Sequence, residues 1–346
     1  MAAYKIVVDA MGGDYAPLSP VEGALIALER HPNLQIILAG REKEIRKALE
    51  GKTYDKDRLT VLHKEQVVEN EEHNPAEAVR TKKDSSLMYG MKMVKEKEAD
   101  GLVSAANTGA VLAGATLVAG RIRGVLRPAL SVALPGRKGP VLLLDVGANV
   151  DSKPAYLVQF AQMTSIYCQR QLGIKKPRVG LLNVGVEPGK GNALTKEVYE
   201  LLEKEPEIRF VGNVEAREVL EDAADVIVTD GFAGNILLKG LEGVARYMFS
   251  CLKEEMTKSL RNKIGALLLK PAMRNLKHKM DPSAVGGTPL LGIDGAVVKA
   301  HGNSNGEAFA NAIEQCIRYL DSNVNQEIAE CMARSKQRAR EEKSVE

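Results

Sequence analysis

Residues 101–119 read GLVSAANTGAVLAGATLVA, and their character changes twice. Gly101–Ser104 is a short apolar run of the kind a fully buried parallel strand requires. Ala105–Gly109 is small and polar. Ala110–Ala119 is then an apolar helix pattern, opened by the step Asn107-Thr108-Gly109. A strand that passes through a Gly/Asn/Thr loop into a helix is the repeating unit of an α/β protein.

The same unit recurs on both sides. Lys5–Asp9, Gln35–Leu38, Leu59–Leu62, Val141–Asp145, Arg178–Leu182, Ile208–Val211 and Val226–Thr229 read as further buried strands. Amphipathic stretches such as Pro20–Arg30, Ser85–Lys97 and Ala193–Lys204 lie between them. The rhythm predicts a doubly wound, mostly parallel sheet. It predicts one domain over residues 1–330, with a helical insertion at about 240–281, where no strand candidate occurs. Residues 331–346 read as a charged C-terminal tail, either a frayed helix or a loose extension.

Composition fits this reading. Of 346 residues 45% are hydrophobic and 27% charged, but only 4% are aromatic and Trp is absent, so Val, Leu, Ile, Ala and Met must build the core. A net charge of +3 is too small to argue for a nucleic-acid partner, and none is expected. Cys168, Cys251, Cys316 and Cys331 form no CxxC pair, which points to reduced thiols in a cytoplasmic protein. Ile6, Val7 and Val8 meet Asp9 at once, too short a run for a signal peptide, and no segment is apolar enough to span a bilayer.

Ligands of open α/β sheets bind at the carboxyl ends of the strands. Here those ends are Asp9–Asp14, Ser104–Ala110, Asp145–Asn149, Asn183–Gly185 and Asp230–Asn235, all rich in Gly, Asn, Asp, Ser or Thr. Glycine lets backbone N–H groups approach an anion, and a following helix N-terminus adds partial positive charge. Ordinary helix capping explains any one such loop; five on one rim point to an anion site. Gly295–Ser304 reads as a strand ending in a basic loop, with Lys299 two residues before His301 on one face. No P-loop, GxGxxG, GxSxG or HExxH motif is present. Asp145 and Asp230 are acids at strand ends of a kind too common to imply a metal, so neither metal nor cofactor is expected.

The segments DAMGGD (9–14), SAANTGA (104–110), RPA (127–129), LDVGAN (144–149), LLNVG (181–185), GNVE (212–215), DGFAGN (230–235), LLG (290–292) and KAHGNS (299–304) carry a resemblance. In this order, from Tyr4 to about Tyr319, the chain resembles the PlsX family of acyl-carrier-protein:phosphate acyltransferases. It departs at Ala106, Val186 and Val285, where the family usually has Gly, an acidic residue and an aromatic. The resemblance implies a homodimeric α/β/α sandwich, similar to phosphotransacetylase and more distantly to isocitrate and isopropylmalate dehydrogenases. It implies transfer of an acyl group from acyl carrier protein to inorganic phosphate, at the start of phospholipid synthesis.

On that basis Ser104, Asn107, Thr108 and Gly109 are expected to hold phosphate. Lys299 would supply charge, and His301 or Asn235 would serve the oxyanion or the departing sulfur. Asp9, Gly12, Gly13, Asn149, Asp230 and Ser304 complete the expected substrate-binding set. A phosphotransacetylase using short acyl-coenzyme A, a dehydrogenase and a non-catalytic scaffold are the alternatives.

The insertion has its own signature. Met256, Leu260, Ile264, Leu267 and Leu268 recur at helical spacing, and Met273, Leu276 and Met280 continue after Pro271. Lys258, Arg261, Lys263, Lys270, Arg274, Lys277 and Lys279 accompany them with no acid between Thr257 and Met280. A basic amphipathic helix suits an anionic membrane surface. Leu260, Ile264, Leu267 and Leu268 are the expected contacts, with peripheral membrane association and a downstream membrane acyltransferase as a further expected partner. A dimer contact or a docking face for the acidic carrier protein would use the same surface.

Overall fold

Runs that are apolar on both faces become strands covered from both sides. The computed structural model describes residues 4–69, 72, 74–279 and 286–345; Met280 and Val285 lie outside these. The strands β1 (Tyr4–Asp9), β2 (Leu34–Gly40), β3 (Leu59–His63) and β4 (Gly101–Ser104) belong to a seven-stranded sheet in the order β3-β2-β1-β4-β12-β11-β5. Its other members are β5 (Ala129–Leu130), β11 (Gly287–Leu291) and β12 (Ala296–Ala300). A second sheet of five strands runs β6-β7-β10-β8-β9, with β6 (Val132–Pro135), β7 (Pro140–Leu144), β8 (Arg178–Asn183), β9 (Arg209–Glu215) and β10 (Val226–Val228). Pairing is parallel except at β11–β12, β11–β5 and β6–β7.

Side-chain alternation divides the core. On β1, Ile6 and Val8 join the cluster under α1 (Leu18–Arg30) and α10 (Gly306–Asp321). Val7 faces the other way, toward α4 (Ser86–Lys95) and α5 (Thr108–Gly114). In the second sheet Leu142 and Leu144 pack toward α6 (Pro154–Gln171) and α7 (Ala193–Lys204), while Val141 and Leu143 face α8 (Gly231–Thr257). Of the smaller helices, α2 (Glu42–Leu49) packs on the α1 side of the first sheet and α3 (Pro75–Thr81) against α5 on the other. This is the α/β/α arrangement, built on two sheets rather than one.

Two segments differ from the sequence expectation. Helix starts at Gly231, well before residue 240, because Asp230 caps it by accepting from Ala233 N at 2.8 Å. Four glycines in the first half of α8 hide the helical pattern. It is followed by α9 (Leu260–Lys279), and together the two are the helical insertion. Residues 331–345 belong to α11 (Val324–Val345), a docked helix rather than a loose tail. Cys331 and Met332 are buried, and Arg334 and Arg338 bind Glu207 at 2.9 and 2.8 Å.

Candidate active site

The ends of β4, β7, β10 and β12 meet at one cavity between the two sheets, whereas the loop after β8, Asn183–Gly185, does not line it. A pocket of about 400 Å³ there is lined by Asn107, Thr108 and Gly109 from the start of α5, and by Lys299 and His301 from the end of β12. Gly147, after β7, and Asn235, in the second turn of α8, close the opposite wall. Leu130, Val132, Ala133 and Leu238 supply an apolar floor. Of the residues expected from sequence, the structure thus brings Asn107, Thr108, Gly109, Asn235, Lys299 and His301 onto one cavity.

The remaining expected residues stand behind it. Asp9 is buried at the end of β1, where its carboxylate accepts from Ser86 Oγ at 2.6 Å, Ser104 Oγ at 2.7 Å and Met11 N at 3.2 Å. Burial pushes its pKa above the ordinary carboxylate range, against the pull of these donors. Ser104 is itself buried and also accepts from Ala106 N at 3.1 Å, so its hydroxyl is committed to the loop. Gly12 is needed for close approach: a Cβ there would stand 2.7 Å from Asp9 Oδ2 and 2.8 Å from Ala106 N. Gly13 lies beside Ala105 and the Gly302 carbonyl, which accepts from Asp14 N at 2.8 Å.

The second sheet repeats this device. Asp145, buried after β7, accepts from Val146 N at 2.8 Å, Ala148 N at 3.2 Å, Asn149 N at 2.6 Å and Asn149 Nδ2 at 3.0 Å. Burial raises its pKa as well. Asn149 also donates to the Pro128 carbonyl at 3.1 Å, so it braces the loop rather than lining the cavity. Helix α8 presses onto this loop through glycine: a Cβ on Gly234 would lie 2.0 Å from the Asp145 carbonyl oxygen. That contact sets Asn235 over Gly147, where an added Cβ would be 3.5 Å from Asn235 Cγ. Asp230 is the cap of α8, and Ser304 is buried in the turn after His301 with its hydroxyl unpaired.

Lys299 and Ser104 are register partners on β12 and β4. The Lys299 ammonium donates to the carbonyls of Ala105, at 3.5 Å, and Ala300. Burial brings its pKa from 10.5 down to about 8, with the nearby charges of Asp14 and Asp9 opposing the drop. Near neutral pH it is therefore a cation in a partly dry cavity, where attraction for an anion is stronger than in water. Asn107 Oδ1 accepts from Gly109 N at 2.9 Å and Ala110 N at 3.3 Å. Those two amides are thus satisfied, and an incoming anion meets Thr108 and Lys299 first. His301 is exposed on the wall, its Nδ1 accepting a long 3.5 Å contact from Asn303 N.

The wall also contains Gly286, Gly287, Thr288, Lys239 and Glu242, which the sequence reading does not place at a site. The Gly286-Gly287 pair is the one sign of it, since small residues let a wall come close to a ligand. Among the described residues, His, Cys, Asp and Glu do not gather in groups of three or more suited to a metal ion. The cavity can therefore position an anion beside a carbonyl group and offer donors from Lys299, Thr108, His301 and Asn235, with apolar surface adjoining.

Comparison with known proteins agrees in outline. Residues 4–327 match the family model described as fatty acid synthesis protein. A phosphate acyltransferase of Clostridium novyi is 49% identical over 320 residues, covering 92% of this chain and 96% of that protein. A phosphate acyltransferase of Brevibacillus brevis is 48% identical over 332 residues, covering 96% and 98%. Among solved structures, a phosphotransacetylase from Streptococcus pyogenes superposes with a TM-score of 0.59 at 17% identity, covering 92% of this chain and 94% of that one. A 4-hydroxythreonine-4-phosphate dehydrogenase from Klebsiella pneumoniae gives 0.50 at 11% identity, covering 92% and 98%. These structural likenesses concern the fold.

Proposed function

The chain belongs to the phosphate acyltransferase family, and from that premise we propose that it moves a long-chain acyl group from acyl carrier protein to inorganic phosphate. The product, an acyl phosphate, would feed phospholipid synthesis. The observation that carries this reading is the convergence of Thr108, Lys299, His301 and Asn235 on one cavity with an apolar floor.

In the proposed reaction a phosphate oxygen attacks the thioester carbonyl, forming a C–O bond and a tetrahedral oxyanion. The C–S bond then breaks, and the thiolate takes up the proton that phosphate gives up. Ordinary thiols have a pKa of about 8.5, so the thiolate leaves readily and no catalytic triad is required. The protein must hold phosphate against the carbonyl and offer donors to the oxyanion. Lys299 and Thr108 are assigned to phosphate, with Asn107 and Gly109 shaping that wall. Asn235 and His301 are assigned to the oxyanion and the departing sulfur. Asp9, Ser104, Asp145 and Asn149 hold the loops in place.

Three finer assignments accompany this reading. Phe232, Ile236 and Tyr247 stand exposed along the outer side of α8, as the face of a homodimer would. Leu260, Ile264, Leu267 and Leu268 are exposed on α9, with Leu268 at 78%, beside Arg261, Lys263, Lys270 and Arg274. That surface supports peripheral contact with an anionic membrane, where a downstream membrane acyltransferase would collect the acyl phosphate. No helix among the described residues is long and apolar enough to cross a membrane. A cytoplasmic location with this contact is part of the proposal.

The test is mass-spectrometric detection of acyl phosphate from palmitoyl carrier protein and phosphate, with wild-type and Lys299→Ala protein. Product that requires phosphate and is lost in the variant supports the reading. Likeness of fold to phosphotransacetylase favours one second reading, a short acyl-coenzyme A donor. Acetyl phosphate formed from acetyl-coenzyme A, with none from the palmitoyl donor, would select it.

A further inference from the structure

A thioester held against Lys299 and His301 must send its hydrocarbon chain somewhere. Directly beside the polar cavity lies an apolar groove of about 450 Å³, walled by Leu134, Leu241, Ala245, Phe249, Leu252 and Leu276 among others. The two spaces share Ala133, Leu238 and Glu242 as common wall. Among the described residues Glu242 is the one charged side chain on the groove, and it sits at that junction, paired with Lys239 at 2.8 Å. Polarity thus changes from one end to the other in the sense of an acyl thioester, polar at the reacting head and apolar behind it.

We propose that this groove binds the acyl chain and that Ala245, Phe249 and Leu252 measure its length; the proposal rests on the phosphate acyltransferase reading above. The dimensions match. Leu238 and Leu252, on one face of α8, are fourteen residues apart, a distance of about 21 Å at about 1.5 Å per residue. A zigzag of tetrahedral single bonds about 1.5 Å long advances about 1.25 Å per carbon, so this run accepts about 16 carbons. Leu276 of α9 reaches the groove from the second helix of the insertion, which ties the chain site to the helix that carries the exposed leucines. Met248 and Val244, both more than half exposed, form an open lip along which a chain can enter sideways. Continuity with the reacting centre is what selects an acyl chain over a second copy of the protein as occupant.

The experiment measures kcat/KM for acyl phosphate formation from carrier-bound donors of eight, twelve and sixteen carbons. Ala245→Trp blocks the groove midway, and Leu252→Trp narrows its far end. For Ala245→Trp the sixteen-to-eight ratio is expected to fall about tenfold or more, since one methylene of misfit in an apolar pocket already costs about tenfold. For Leu252→Trp the optimum is expected to move from sixteen carbons to twelve. A ratio is unaffected by any loss of folded enzyme, so poor folding does not imitate the result. Unchanged ratios in both variants would overturn the proposal.

Failure of the reaction itself reads differently. Wild-type protein that makes no acyl phosphate from any donor would sink the phosphate acyltransferase reading. The groove is then judged by direct titration with palmitate: binding lost in Ala245→Trp supports it, and absent or equal binding overturns it. Light scattering on the same variants covers the other occupant. Dimers that fall apart while the length ratio stays constant would assign the groove to a subunit contact and overturn the proposal.

Discussion

Lys299 and Ser104 are register partners on adjacent parallel strands, and they serve the cavity in different ways. Lys299 reaches its wall, while Ser104 turns its hydroxyl to buried Asp9 at 2.7 Å. One strand end supplies charge and its neighbour supplies rigidity.

Ser104→Ala should therefore act mainly through stability. Removing the hydroxyl takes a hydrogen bond from a buried carboxyl group and leaves one of its oxygens short of a partner, a loss of about 1–3 kcal/mol. Urea unfolding should show that loss, and phosphate KM should change less than in Lys299→Ala. A large rise in phosphate KM with undiminished stability would instead mean that Ser104 touches the anion.

Lys299 makes the opposite exchange. Its pKa is lowered from 10.5 to about 8, so between those values the unfolded chain holds the extra proton and stability rises with pH. At pH 7 the buried ammonium costs on the order of 2 kcal/mol, allowing for water that reaches the cavity. Lys299→Met is expected to unfold at higher urea concentration than wild type while losing turnover. Wild-type kcat/KM for phosphate should decline as pH rises through about 8. A flat profile to pH 9.5 would remove Lys299 from phosphate binding.

Gly234→Ala probes how α8 is seated. Its new methyl would lie 2.0 Å from the Asp145 carbonyl, so the helix must shift and Asn235 with it. The expected cost is about 1–3 kcal/mol or more, together with a fall in turnover. Gly265→Ala, in open space on α9, should instead stabilise by about 0.5–1 kcal/mol. Matched thermal melts of the two variants distinguish local overpacking from a general effect of adding a methyl group to a helical glycine.

The exposed side of α9 should bind vesicles containing anionic lipid, more weakly as salt rises. Leu268→Glu places a charge on its most exposed leucine and should reduce co-sedimentation several-fold without altering turnover on soluble donors. Equal sedimentation of variant and wild type would exclude α9 as the membrane contact.

Much of this architecture is readable from residues alone, for identifiable reasons. β1, β4, β7, β8 and β10 are buried on both faces and read as unbroken apolar runs. β5 has two residues, and β11 begins Gly-Thr-Pro, which reads as a turn; without them the separation into two sheets has no local mark. Asn107, Lys299 and His301 announce themselves by chemical type at strand ends. The commitment of Ser104 to Asp9 does not, because only the pairing of β4 with β1 brings together two residues that stand 95 apart in sequence. The groove along α8 is hidden for the same reason: its walls come from β6, α8 and α9, and no one stretch shows them together.

Leu130 pairs with Leu290 in one sheet, and Val132, two residues on, pairs with Leu143 in the other. Ser131 is thus the shortest covalent bridge between two half-shells, and both of its neighbours form part of the cavity floor. A molecule gripping Lys299 on one side and Gly147 or Asn235 on the other would work as a clasp across the two sheets. Occupancy of the cavity would then be a source of mechanical cohesion, leaving the empty protein the more easily pried open of the two.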